Sequence, residues 1–172
     1  WTDHFHVNLW VFGGLKPFHD LVAIRPLALA SVGALVRATM RSPAMLHYLD
    51  QVWSTKWGVN ENYARELMEL FTMGIGNYTE TDIKQAAKVL SGYQVSGLTA
   101  TFVASRWYTE ANVTVFGKTA KFDINTLIDH IFDQKATAQF ICRKLYQEFV
   151  YYKPDEVFIT KMATVFKANN FE

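Results

Sequence analysis

The sequence predicts a mainly α-helical protein, a helical bundle with one short β-hairpin or extended excursion around residues 93–122. Three observations predict it. Apolar residues recur at helical spacing in several separate runs, each bounded by a capping residue, a proline or a glycine. Between Tyr93 and Phe122 that periodicity disappears, and β-branched and aromatic residues become frequent. Finally, 50% of the 172 residues are hydrophobic and 15% aromatic, enough to bury one substantial core, so a single domain over 1–172 is expected.

Taken in order, Trp1 to Phe12 reads as the end of a helix that Gly13, Gly14 and Pro17 terminate. After the Arg25-Pro26 break, Leu29 to Arg41 has helical character, and Ala30, Ser31, Gly33 and Ala34 would permit close packing. Ser42 then caps a short helix with Pro43 at its first position and Asp50 near its end. A loop from Gln51 to Val59 carries Trp53 and Trp57. Thr79 caps the next helix with Asp82 three residues on, an acidic variant of the capping box, and Gly92 closes it. In the β-like stretch Glu110 to Asn112 is the turn candidate. Asp123 is expected to cap Ile124 to Phe132, followed by a helix over Ala136 to Tyr152 and one begun by Pro154 and Asp155.

The central segment, Asn60 to Gly74, reads NENYARELMELFTMG. At about 100° per residue, Tyr63, Ala64, Leu67, Met68, Leu70 and Phe71 fall on one side, and Glu61, Asn62, Arg65, Glu66 and Glu69 on the other. Asn60 is the expected N-cap and Gly74 the expected C′ residue. Arg65 lies four residues from both Glu61 and Glu69 and can pair with either, which leaves Glu66 without a helical partner. The polar site candidates are therefore Asn60, Glu61, Asn62, Arg65, Glu66 and Glu69. Two readings stand side by side. Either this face is solvated, or it points into a cleft where carboxylates and amides bind a cation or polar ligand, with crowding raising one carboxyl pKa over another.

Other chemistry is thinly represented. Asp3, His4 and His6 are close in sequence, but on a helix His4 and His6 would point about 200° apart, so His4 is the one metal candidate. His19, His47 and His130 are scattered, without an HExxH or paired-cysteine pattern to recruit them. Ser91 lacks a G-x-S-x-G elbow, and Cys142 falls on an apolar helix that would keep its thiol inert. No cofactor is predicted, since Gly74 and Gly76 lack the strand and third glycine of a dinucleotide fingerprint. Trp1, Trp10, Trp53, Trp57 and Trp107 are core residues or, where exposed, surfaces for sugar rings.

The run NENYARELMELFTMGIGNYTETDIKQAAKVLSGYQV resembles the signature of a bacterial family, domain of unknown function 1800, with its NENxARELxELxTLG helix and YTExDV…ARxLTGW segment. WTDHFHVNLW, RSPAMLHYLD and FICRKLYQEFV are similar to further elements of that family, so the likeness covers nearly the whole chain. One element departs from it. Where relatives carry HDxGxK before a short strand, this chain has Tyr108, Thr109, Glu110, Ala111, Asn112 and Val113, then Thr114-Val115-Phe116-Gly117. The resemblance implies a longer protein of which this is an internal piece, and a periplasmic or secreted location.

The formal charge is +1, from 17 basic and 16 acidic residues spread along the chain. No basic stripe points to nucleic acid. No run approaches the roughly 20 apolar residues a membrane span needs, because Arg25 and Arg37 bracket Leu27 to Val36. The lone cysteine is silent on redox compartment. The functional expectation is a non-catalytic binding or structural role outside the cytoplasm, toward a protein or glycan partner. The alternatives are a hydrolase-like enzyme using Glu61, Glu66 or Glu69 as acid and base on a polysaccharide, and a divalent cation site built from His4 and those glutamates.

Overall fold

Helices in this chain begin where a side chain takes up backbone N–H groups that would otherwise lack acceptors. A computed structural model describes residues 1–7, 14–108 and 112–171. Helix α1 (Leu15–Phe18) runs on into a π-helical stretch (His19–Ile24) and a 3-10 turn (Arg25–Leu27), and is followed by α2 (Val32–Thr39) and α3 (Pro43–Tyr48). Helix α4 (Asn62–Glu66) also runs on into a π-helical stretch (Leu67–Thr72), before α5 (Glu80–Leu90). Strands β1 (Tyr93–Ser96), β2 (Thr99–Phe102), β3 (Val113–Val115) and β4 (Lys118–Ala120) lead to α6 (Ile124–Asp133), α7 (Lys135–Phe149) and α8 (Glu156–Ala168).

The caps are mostly those the residue types imply. Ser31 accepts from the Ala34 N–H at the start of α2, and Asp155 from those of Val157 and Phe158 at the start of α8. Thr79 and Asp82 close a reciprocal capping box on α5, and Asp123 and Thr126 close another on α6. Because Ser31 caps α2, that helix begins at Val32 rather than Leu29, whose side chain is fully exposed. Helix α7 stops at Phe149, short of the expected Tyr152.

The apolar faces meet in one continuous cluster that includes Leu35, Met45, Leu46, Leu67, Met68, Ile83, Leu90, Leu127 and Ile131, all with no exposed surface. Burying each such side chain contributes about 1.5–3 kcal/mol. Mainly α with small hairpins is thus the architecture, and no helix among the described residues is long and apolar enough to cross a membrane.

Two expectations need correction. The described part of the N-terminal stretch, Trp1 to Val7, is a single turn closed by the Phe5 N–H on the Trp1 carbonyl, not a helix; Trp10, Phe12 and Gly13 lie outside the described residues. The β-like region is two antiparallel hairpins, β1–β2 and β3–β4, rather than one. The turn candidate at Glu110 and Ala111 lies outside the described residues; the second hairpin turns at Phe116 and Gly117, with φ of 46° and 74°. Positive φ at both central residues is the geometry that matches the twist of two short strands.

That second hairpin is held from two sides. From α5, Asp82 Oδ1 accepts the Phe116 N–H at 2.7 Å, while Oδ2 accepts from the Thr79 N–H and hydroxyl. From α6, His130 Nε2 donates to the Val115 carbonyl at 2.9 Å, with its ring stacked on Phe122. Burial alone would raise the Asp82 pKa, but the hydrogen bonds from Thr79 and Phe116 outweigh it and hold the carboxyl below the usual range. The carboxylate therefore contributes stability above the unfolded-state pKa, and that contribution is lost as pH falls through the lower folded-state value. Replacing Asp82 by Asn should cost about 1–3 kcal/mol in urea unfolding at pH 7, with the gap to wild type closing in strong acid.

Gly74 ends the central helix at φ +80°, and a Cβ there would meet the Phe140 ring at 2.6 Å. Backbone conformation and the close approach of α7 both demand glycine. Gly74→Ala is expected to lose roughly 1–3 kcal/mol by thermal or urea unfolding.

Candidate functional site

The widening of the central helix rearranges its polar face. A π turn closes its hydrogen bond one residue later than an α turn, and across the two stretches the buried pairs Tyr63-Ala64, Leu67-Met68 and Phe71-Thr72 recur every four residues. Two separate rows follow from that spacing. Glu61, Arg65 and Glu69 form one, and Asn62, Glu66 and Leu70 the other. Leu70, expected on the buried side, is 48% exposed because it belongs to the second row.

The first row is turned to the segment that starts α5. Arg65 Nη1 and Nη2 each donate to a Glu80 carboxylate oxygen at 2.7 Å, a bidentate pair, while Glu61 is 3.8 Å away. Glu69 does not pair with Arg65. It accepts the Tyr78 hydroxyl at 2.6 Å, because the chain entering α5 brings that ring alongside. The Arg65 hydrogen bonds hold the Glu80 carboxyl below its ordinary range, and Glu80 in turn raises the guanidinium. Burial, then the Glu69 hydrogen bond, raises the Tyr78 phenol to about 12. Asn60 accepts the Asn62 N–H at 2.9 Å, two residues before the first helical position. These groups tie α4 to its neighbours.

The second row faces a groove of about 380 Å³ lined by Asp3, His4, His6, Tyr48, Leu49, Asn62, Glu66, Leu70 and Phe71. Here the expectation of divergent histidines is overturned. Trp1 to Val7 is not helical, Phe5 and Val7 point into the core, and His4 and His6 line the same groove. His4 Nε2 lies 3.0 Å from the Phe71 carbonyl, which can only accept, so the proton is on Nε2. Its ring packs edge-on against Phe5 and Phe71. Burial lowers the His4 pKa to about 4, with Lys144 acting in the same direction against the Phe71 hydrogen bond, so the imidazole is neutral at pH 7. Asp3 and His4 also border a second cavity of about 570 Å³, lined with Trp1, Leu29, Lys144 and Phe149 among others.

Glu66 is half-buried in the groove and has no hydrogen-bond or ion-pair partner among the described residues. Burial and then the nearby Glu69 charge raise its pKa, and Arg65 only partly offsets them. As for metal, no group of three or more His, Cys, Asp or Glu among the described residues is disposed to hold an ion. His4 has its Nε2 proton committed to Phe71, which leaves Nδ1 as its only ligating atom.

The other candidates are structural. Ser91 donates to the Lys88 carbonyl and accepts the Tyr108 N–H, knotting the end of α5 to the chain after the first hairpin. Cys142 is buried, which pushes its thiol up to about 11. Trp1 and Trp107 anchor their indole N–H groups on the Ala28 and Val89 carbonyls. Trp53 and Trp57 are exposed, at 73% and 75%, but neither lines the groove at Glu66. Sequence reasoning missed Asp3, His6 and Tyr48 as groove residues and Tyr78 and Glu80 as partners of the first row. The four-residue rows 61/65/69 and 62/66/70 were the available signal.

Compared with known proteins, residues 1–172 match the family described as Protein of unknown function (DUF1800). The chain belongs to the DUF1800 family. No curated protein and no solved structure matches it. The groove is therefore built by residues of a DUF1800 chain whose signature helix supplies Asn62, Glu66 and Leu70. Residues 109–111, part of the element expected to depart from the family pattern, lie outside the described residues.

A carboxyl whose folded-state pKa is raised binds protons more tightly folded than unfolded, so it destabilises the fold progressively as pH rises through the interval above the ordinary carboxyl value. Glu66→Gln should therefore be as stable as wild type or more stable in urea at pH 7. The difference should vanish as pH falls below the unfolded-state carboxyl pKa.

Proposed function

We propose that this DUF1800 chain is a helical-bundle binding module, acting outside the cytoplasm, in which the groove at Glu66 holds a sugar-sized ligand rich in hydrogen-bond donors. The observation that carries the reading is the unpartnered Glu66 carboxylate, held in a groove at the expense of its own ionisation, while Arg65 and Glu69 beside it are both engaged. Asp3, Glu66 and Asn62 offer acceptors for hydroxyl or ammonium groups. Tyr48, Leu49, Leu70 and Phe71 give apolar walls for the C–H face of a ring. The volume falls within the roughly 300–1,000 Å³ typical of small-molecule sites.

Hydrolysis is the weaker reading of this groove. An acid and base need two carboxylates about 5–9 Å apart across the scissile bond, but Glu61 and Glu69 belong to the row turned toward Arg65 and Tyr78, which leaves Asp3 as the other carboxylate lining the groove beside Glu66. The extracytoplasmic part of the proposal rests on the family resemblance alone.

Titration calorimetry with glucose, glucosamine and N-acetylglucosamine tests the binding. At least one should bind with a Kd of about 1 mM or tighter, and Glu66→Gln should weaken it by about tenfold. A flat titration for all three, or equal affinity in the variant, would sink the proposal. Recovery of the native protein in the cytoplasmic fraction of its host would overturn the location.

A further inference from the structure

His19 and Ser42 are distant in sequence, yet His19 Nδ1 lies 2.6 Å from Ser42 Oγ and His19 Nε2 lies 3.3 Å from the Phe5 carbonyl oxygen. The carbonyl can only accept, so Nε2 carries the proton and Nδ1 accepts the serine hydroxyl. This is the relation of a nucleophile, its base and a third group that orients the base. Both residues are buried, at 1% and 5% exposure, but together they line a cavity of about 300 Å³ with Val22, Arg41, Leu98 and Thr99 among others.

Two features argue against a mere structural tie. Ser42 occupies the N-cap position of α3, where a serine side chain ordinarily accepts a helix N–H and contributes about 1 kcal/mol. Here it makes no such bond, and its hydroxyl is turned to the imidazole instead. His19 also opens the π-helical stretch of α1, a backbone form that is frequent at functional sites. Burial holds the His19 imidazole below its ordinary pKa, which keeps it in the neutral, proton-accepting form.

We propose that Ser42 is a nucleophile with His19 as its general base, in a site for a small, mainly apolar acyl ester that is separate from the Glu66 groove. Ser42 Oγ bonds to the acyl carbon as its proton passes to His19 Nδ1, and the carbonyl electron pair moves to oxygen. Arg41, whose Nη2 donates to Asn125, is the formal cation among the described residues lining the cavity and supplies positive potential for that developing charge. Collapse breaks the bond to the alcohol, which takes the proton from Nδ1 and leaves an acyl-serine. Water then adds to the acyl carbon, giving a proton to Nδ1 that returns to Ser42 as the acid departs. The net reaction is ester plus water to acid plus alcohol. This inference goes beyond the binding role at Glu66, and either can fail without the other.

The test is incubation of the chain with a fluorophosphonate probe, peptide mapping by mass spectrometry, and hydrolysis of p-nitrophenyl acetate. One adduct on Ser42 is expected, with hydrolysis at least tenfold lower in Ser42→Ala and in His19→Gln and unchanged in the exposed control Ser105→Ala. No adduct on Ser42 in the folded wild-type chain, or hydrolysis unaltered by Ser42→Ala, would mean that the pair only ties α1 to α3 and would overturn the proposal. The wild-type labelling decides by itself should a variant fail to fold.

Discussion

The four-residue repeat of the central helix is the constraint on which the rest of the site depends. Where α4 widens into π-helix at Leu67, its buried side chains recur every fourth residue, in the pairs Tyr63-Ala64, Leu67-Met68 and Phe71-Thr72. A helix of uniform 3.6-residue turns would let the polar residues drift around the axis as one broad face. With the wider turn they stay in straight rows. One row meets the chain around Tyr78 and Glu80, and the other meets the N-terminal turn that carries Asp3, His4 and His6. The consequence is a division of labour among residues of the same type: Glu69 is consumed in packing, and Glu66 is left with its charge in a groove.

The remaining elements keep those rows in place. Gly74 lets the Phe140 ring of α7 close over the end of the helix, and Tyr63 donates its hydroxyl to the Met40 carbonyl at the end of α2. The bidentate Arg65 pair sets the position of α5, whose capping carboxylate Asp82 in turn grips the turn of the second hairpin. His130 holds the same turn from α6. A single chain of hydrogen bonds thus runs from the central helix through α5 to the hairpin. The paired carboxylates Glu80 and Asp82 have lowered pKa values, and Glu66, outside that chain and without a partner among the described residues, has a raised one. This contrast distinguishes the structural carboxylates from the candidate ligand-binding one.

Much of the secondary structure was legible beforehand because it depends on local chemistry. Thr79, Asp123 and Asp155 cap as their residue types require, and Gly74 and Gly92 stand at positive φ after helices they end. The fold class and the family were legible for the same reason. Failures came where local pattern was ambiguous. Trp1 to Val7 has helical composition but forms one turn, since Phe5 and Val7 insert into the core together and no helix places residues two apart on one side. The second hairpin turns at Phe116-Gly117, a site given away by no Asn-Gly or Asp-Gly pair.

By itself, the sequence determined the helical class, the capped boundaries, the membership of the DUF1800 family and the list of polar residues on the central helix, because each is written in short-range pattern and residue type. Only the tertiary structure decided which of those polar residues are partners and which are free. It paired Arg65 with Glu80 instead of Glu69, brought His4 and His6 to the groove of Glu66, and set His19 against Ser42 across 23 residues of chain. The physical reason is that a side chain's partner is fixed by the packing of distant segments. A helix turn that widens by one residue changes every such partner without changing a letter of the pattern.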